Sequence, residues 1–192
     1  MDLQSLFICP RLEASSLYYK MKLSCHNFTI YDLTTNEAMH YFWHEGEGEL
    51  KASVFASCVI DYLDNVDTSN IKEIIIYIDG CTYQNRNCTM ANALLLWAAK
   101  HDIVVYQKYL EKGHTQMECD SVHSVIERKI RKQPIYVPQM YVDNIKFAKT
   151  ATPEYKVKYI DHTFFNDYES LYYYSGIGDR YKSVTVQYRW KT

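Results

Sequence analysis

The chain has 192 residues, 47% of them hydrophobic and 23% charged, with a formal net charge of −2. Those values exclude a disordered polar chain, and no apolar run approaches the roughly 20 residues that cross a bilayer. The near-neutral charge gives no electrostatic sign of a nucleic-acid partner, although ERKIRKQP at 127–134 forms one basic patch. The start, MDLQSLFICPRLE, has an acidic second residue, no basic region before its apolar residues, and Pro10. It predicts no secretory signal, hence an intracellular protein whose six cysteines are free thiols. No Pro/Gly/Ser-rich linker divides the chain, so one domain is expected.

LYYKMKLSCHNFTIYDL (17–33) is rich in aromatic and β-branched residues and predicts a long strand, bent near His26-Asn27. TTNE makes a turn, and AMHYFWHE (38–45) predicts the returning strand of a hairpin. From Lys51 to Leu63, apolar residues recur at spacings of three and four, which predicts an amphipathic helix. EIIIYI (73–78) is a continuous apolar run of the kind found in strands covered on both faces. TMANALLLWAAKH (89–101) is rich in strong helix formers, and DIVVYQKYL follows as a second buried strand. In CDSVHSVIERKIRK, Val122, Ile126 and Ile130 mark a helix face, with Asp120 as its N-cap. Beyond Pro134 a helix or loop crossing is expected, then strand-like or irregular pieces, with 178–192 as one exposed strand. Antiparallel strands followed by helix, strand, helix, strand, helix predict an α/β fold, a mixed sheet with helices on both faces. The RNase H-like fold is wired in this order, which by itself fixes no function.

Ligands of open α/β sheets bind beyond the carboxyl ends of parallel strands, and Asp79 closes EIIIYI at such an end. The alternative is an Asp-Gly turn that merely ends the strand. On a helix starting at Asp120, His123 and Glu127 share its face, so two carboxylates and an imidazole could meet a divalent ion. Equally, Asp120 could be only a cap, His123 a satisfied half-buried histidine and Glu127 a partner of Arg128 or Arg131. A two-metal phosphoryl-transfer site needs a further acid on the first strand, and Asp32 and Asp2 are the candidates. Serine or cysteine nucleophile chemistry finds no GxSxG, and Cys119 sits beside a carboxylate that raises a thiol pKa. No glycine-rich phosphate loop is present in the sequence.

IDGCTYQNRN followed by KGHTQMECDSVHSVIE resembles a group of transposon-derived eukaryotic proteins, abundant in insects, with an RNase H-like, DDE-type transposase-like core. The shared pattern is D-x-C-x-x-Q-N-[RK]-N, then G-H-[ST], then an Asp and a downstream Ile-Glu. NFTIYDLTTNEA, YFWHEGEGE and DLQ add to it, and the likeness runs to about Gly176. It implies a core over 1–176 and a divergent tail over 177–192. It also implies Asp79 and Asp120 as second and third acids, with Glu127 as the alternative third and Asp2 or Asp32 as the first. His114 and His123 would line the site. Gln84, Asn85 and Asn87 would hold the loop after Asp79 or touch substrate.

The resemblance thus leads to the expectation of metal-dependent phosphodiester cleavage or strand transfer. Asp79, Asp120 and Asp32 or Asp2 would bind Mg²⁺ or Mn²⁺, with nucleic acid, DNA rather than RNA, as partner and the nucleus as location. The short lead before Asp2 and the divergent tail motivate an alternative. In it the domain is domesticated and catalytically lapsed, and works as a binding or interaction protein. A DnaQ-like exonuclease is a third reading, with His114 upstream of Asp120, although YDLT lacks the second acid of a DxE.

Overall fold

A computed structural model of the chain describes residues 1–11, 21–111, 116–150 and 152–171, together with the backbone of 185–188. In chain order the strands and helices are β1 (Asp2–Leu3), β2 (Phe7–Cys9), β3 (Leu23–Asp32), β4 (Glu37–His44), α1 (Ala52–Asp64), β5 (Glu73–Ile78), α2 (Cys88–His101), β6 (Val104–Tyr109), α3 (Glu118–Ile130), α4 (Pro138–Lys146), β7 (Lys156–Tyr159) and β8 (Thr185–Tyr188). A 3₁₀ turn at His162–Phe164 separates the last two strands. The protein is of the α/β class, and its elements fall into two compact units. The described strands make two mixed sheets rather than one, five-stranded in the first unit and three-stranded in the second.

The first unit comprises Met1–Glu49 and Gln116–His162. Its centre is the hairpin of β3 and β4, in register from Cys25↔His44 to Asp32↔Glu37. The short strands β1 and β2 both run antiparallel along the other edge of β3, at Asp2↔Thr29 and Phe7↔Cys25, and β7 adds parallel to β4. No break falls at His26-Asn27, where a bend is expected. β3 runs unbroken through Leu23–Asp32, every residue from Cys25 to Ile30 being buried and paired with β4.

Helices α3 and α4 place Val122, Ile126, Ile130, Tyr141 and Ile145 in one buried cluster with Phe7, Cys25 and Phe42 of the sheet. The apolar stripe foreseen for α3 is therefore the stripe that packs. Tyr141 stacks on Phe7 at 4.8 Å between ring centroids, and its hydroxyl donates to Ile8 O at 2.8 Å. Partners directly opposite in an antiparallel ladder project to the same face. Asp2, Thr29 and His40, matched across β1, β3 and β4, therefore form one polar rung on the face that carries Cys25 and Phe42.

The second unit comprises Leu50–Thr115 and Thr163–Thr192. Its sheet runs β5-β6-β8, with β5 and β6 parallel and β8 antiparallel to β6. β8 lies within the expected C-terminal strand. α1 and α2 pack together, and Trp97 Nε1 donates to Asp64 Oδ1 at 2.8 Å. EIIIYI departs from the expectation of a strand covered on both faces. Among the described strands it is an edge strand, and its exposure alternates, with Ile75 46% and Tyr77 39% exposed while Ile78 is buried. Among the described residues no helix is long and apolar enough to cross a membrane.

Candidate metal centre

α3 begins one turn earlier, relative to Asp120, than the sequence predicts. Met117 is the N-cap and Asp120 the third helical residue, with Asp120 Oδ2 accepting the Met117 N–H at 2.6 Å. A carboxylate in that position satisfies an otherwise unpaired amide and faces the positive end of the helix dipole. One turn on, at i+3, His123 lies on the same side of the helix. Asp2, in the polar rung of the sheet, completes a trio. One ligand atom each from Asp2, Asp120 and His123 lie within 4.8 Å of one another.

The His123 ring is fixed from behind. Its Nε2 is 2.9 Å from Thr29 Oγ1, and its Nδ1 is 3.9 Å from Asp2 Oδ2. Thr29 Oγ1 in turn lies 3.1 Å from His40 Nδ1, and that nitrogen is also 3.2 Å from Asn27 Oδ1. Asn27 donates its amide N–H to Gln4 Oε1 at 2.8 Å, so its own oxygen is left as an acceptor. The proton of His40 therefore sits on Nδ1, and its Nε2, buried, has no hydrogen-bond partner among the described residues. Thr29 carries one donor and two lone pairs, so it serves His123 in either tautomer. It gives its proton to a bare Nε2, or accepts from Nε2–H when Nδ1 is engaged elsewhere.

Electrostatics keep both rings neutral. Burial lowers His40 to about 3, assisted by His123, and burial lowers His123 to about 4 against the opposing pull of Asp120 and Glu127. A neutral imidazole is the form that ligates a metal. Burial raises the Cys119 thiol, whose Sγ donates to Thr29 O at 3.7 Å, so this cysteine is a packed thiol and not an activated nucleophile.

Glu127 follows one turn later on α3 and stands outside the trio. Its Oε1 accepts from Gln4 Nε2 and Ser5 Oγ, both at 3.4 Å. Asp32 is held by its own turn, Oδ1 accepting from Thr34 N at 2.7 Å and Thr34 Oγ1 at 2.6 Å. Of the two first-strand candidates, then, Asp2 joins Asp120 and Asp32 does not. His114 lies outside the described residues.

In the second unit Asp79 ends β5, and Gly80 follows at φ 79°, a left-handed conformation that favours glycine. Asp79 Oδ1 accepts from Cys81 N at 3.0 Å and from Asn85 Nδ2 at 3.2 Å. Asn85 O accepts from the buried Gln107 Nε2 at 3.1 Å, which ties the loop to β6. Asn87 caps α2 through Met90 N at 2.8 Å and also donates to Thr82 O. Asn85 and Asn87 thus hold the loop beyond Asp79. Gln84 is buried and donates to Tyr83 Oη at 3.0 Å, while Gln84 Oε1 and Asn85 Oδ1 are buried without a hydrogen-bond partner among the described residues.

Thr29, His40, Asn27 and Gln4 escape a reading aimed at acids. Their signal is polar residues at alternate positions of apolar strands, Asn27 and Thr29 in HNFTIYD and His40 in EAMHYFWH. No curated protein and no solved structure matches the chain. A family model described as Domain of unknown function (DUF8701) matches residues 15–186, and the chain belongs to that family.

Proposed function

We propose that the protein is an RNase H-like, transposase-derived domain that cleaves or transfers phosphodiester bonds with a divalent metal. The observation that carries this reading is the convergence of Asp2, Asp120 and His123, two carboxylates and a neutral imidazole within 4.8 Å. The donor set fits a divalent first-row ion, and the imidazole favours Mn²⁺ over Mg²⁺, which prefers oxygen and water. Asp2 and Asp120 supply the negative charge, and His123 Nδ1 completes the set. Thr29 holds the ring, accepting from Nε2–H while Nδ1 ligates. A bound ion supplies a lowered pKa to a coordinated water or 3′-hydroxyl and stabilises charge on the reacting phosphodiester.

The order of antiparallel strands before alternating helices and strands agrees with this fold assignment. The resemblance implies Asp79 as a catalytic acid, and DNA as substrate with a nuclear location. The test is cleavage of labelled DNA with Mn²⁺. The wild type should cut, Asp120→Asn and Asp79→Asn should not, and cleavage unaffected by Asp120→Asn would end the proposal.

A second reading, a lapsed domain that binds without cutting, is favoured by one observation. The trio holds two carboxylates, one fewer than the three acids that clamp two ions. Mn²⁺ binding without cleavage would select it.

A further inference from the structure

Along α3, the helix that carries Asp120 and His123, lies an open groove of about 890 Å³ in the first unit. One wall is the segment from Ser5 to Phe7 with Arg11, and the other is the α3 stripe Ser121, Ser124, Arg128 and Arg131. Spacings of three, four and three put those four on one strip of the helix, about 15 Å long at 1.5 Å per residue. Ser121 and Ser124 directly follow Asp120 and His123 in the sequence, so the strip runs along the helix that carries both.

The polar part of the lining suits an anion. Three guanidinium groups and the hydroxyls of Ser121 and Ser124 stand with one carboxylate, Glu127, which Gln4 and Ser5 engage, and Leu6, Phe7, Val125 and Ile130 complete the lining. Two arginines are anchored by backbone carbonyls, Arg11 Nη2 on Arg131 O and Arg128 Nε on Ser124 O, both at 3.3 Å. A guanidinium has five donors, so an anchored arginine still presents a fork that matches two phosphate oxygens. Serine hydroxyls are the neutral donors that accompany arginine at nucleic-acid backbones.

We infer that this groove binds the phosphodiester backbone of a nucleic-acid strand and leads it to the metal centre. The inference rests on the proposed phosphodiester chemistry and adds the surface that holds the substrate. A strip of hydroxyls and guanidiniums reads backbone and not base, so binding is independent of sequence. It also does not require the metal, because no groove residue named here belongs to the trio.

The experiment is fluorescence anisotropy of a labelled oligo(dT) in EDTA, across a salt series, with wild type and the Arg128→Ala/Arg131→Ala double variant. Both arginines are exposed, and an unchanged melting temperature verifies the fold. The variant should bind about tenfold more weakly, and its log K against log[salt] plot should be shallower by about 1.4, two single-strand contacts at about 0.7 each. Polyglutamate of equal charge should compete poorly. Equal affinity and slope for the two proteins would overturn the inference, as would polyglutamate competing as well as oligo(dT), which would make the groove an acidic-peptide site. Loss of Mn²⁺-dependent cleavage with this binding intact would sink the catalytic reading alone, so the two failures are distinguishable.

Discussion

Thr29 Oγ1 stands 2.9 Å from His123 Nε2, and this contact turns the opposite ring nitrogen toward Asp2. The arrangement follows from strand register, since Asp2 and Thr29 are paired and therefore share a face. Thr29→Val keeps the shape and removes the hydroxyl, stranding a buried ring nitrogen at a cost of roughly 1–3 kcal/mol. Urea unfolding should register that loss. Mn²⁺ affinity should fall by about 10–100-fold, and Thr29→Ser should restore most of both.

His40 is buried and neutral, held at about 3 by burial and then by His123. The unfolded chain takes up a proton on this residue below about pH 6.5 that the folded chain refuses. Its contribution is therefore intact above pH 6.5 and is lost as pH falls toward 3, at about 1.4 kcal/mol per unit at most. His40→Gln should lower stability at pH 7, because it disturbs the contact to Thr29, yet flatten the decline between pH 6.5 and 5. An undiminished decline in the variant would contradict the assignment.

Asp120 has two roles that substitution separates. Its Oδ2 accepts the Met117 amide at 2.6 Å, which Asn can still do and Ala cannot. Asp120→Ala should lose about 1 kcal/mol of stability relative to Asp120→Asn. If Mn²⁺ binds as proposed and raises the melting temperature of the wild type, both variants should lose that rise.

Asp79 can be probed through the loop it anchors. Gln107→Leu removes the buried bond from Gln107 Nε2 to Asn85 O and the one its Oε1 accepts from Tyr109 Oη. Unfolding should be easier by roughly 1–3 kcal/mol, since Asn85 O then lacks its partner. Asp79→Asn keeps an acceptor for Cys81 N–H and Asn85 Nδ2, so it should spare stability.

Much of this is legible from composition and spacing. The returning strand, α1, α2 and α3 lie within a few residues of their expected places, while the first hairpin strand starts at Leu23 and residues 17–20 of its expected span lie outside the described residues. The coverage of EIIIYI was not legible, because an apolar run reads alike in a central strand and at an edge whose one face stays exposed. The cap of α3 shifted because an acid at the third helical position satisfies an amide as well as one at the cap does. The pairing of Asp2 with Thr29 was out of reach, because a two-residue strand has no periodicity. The choice of Asp2 over Asp32 in the trio depends on that pairing.

The most direct test of the metal centre is a Mn²⁺ titration followed by electron paramagnetic resonance, in which bound ion is read from the loss of the free-ion signal. The wild type should bind, with affinity weakened at least about tenfold in Asp2→Asn, Asp120→Asn and His123→Ala and preserved in Asp32→Asn. Equal binding by the wild type and Asp120→Asn, or loss of binding on replacing Asp32 alone, would contradict the proposed centre.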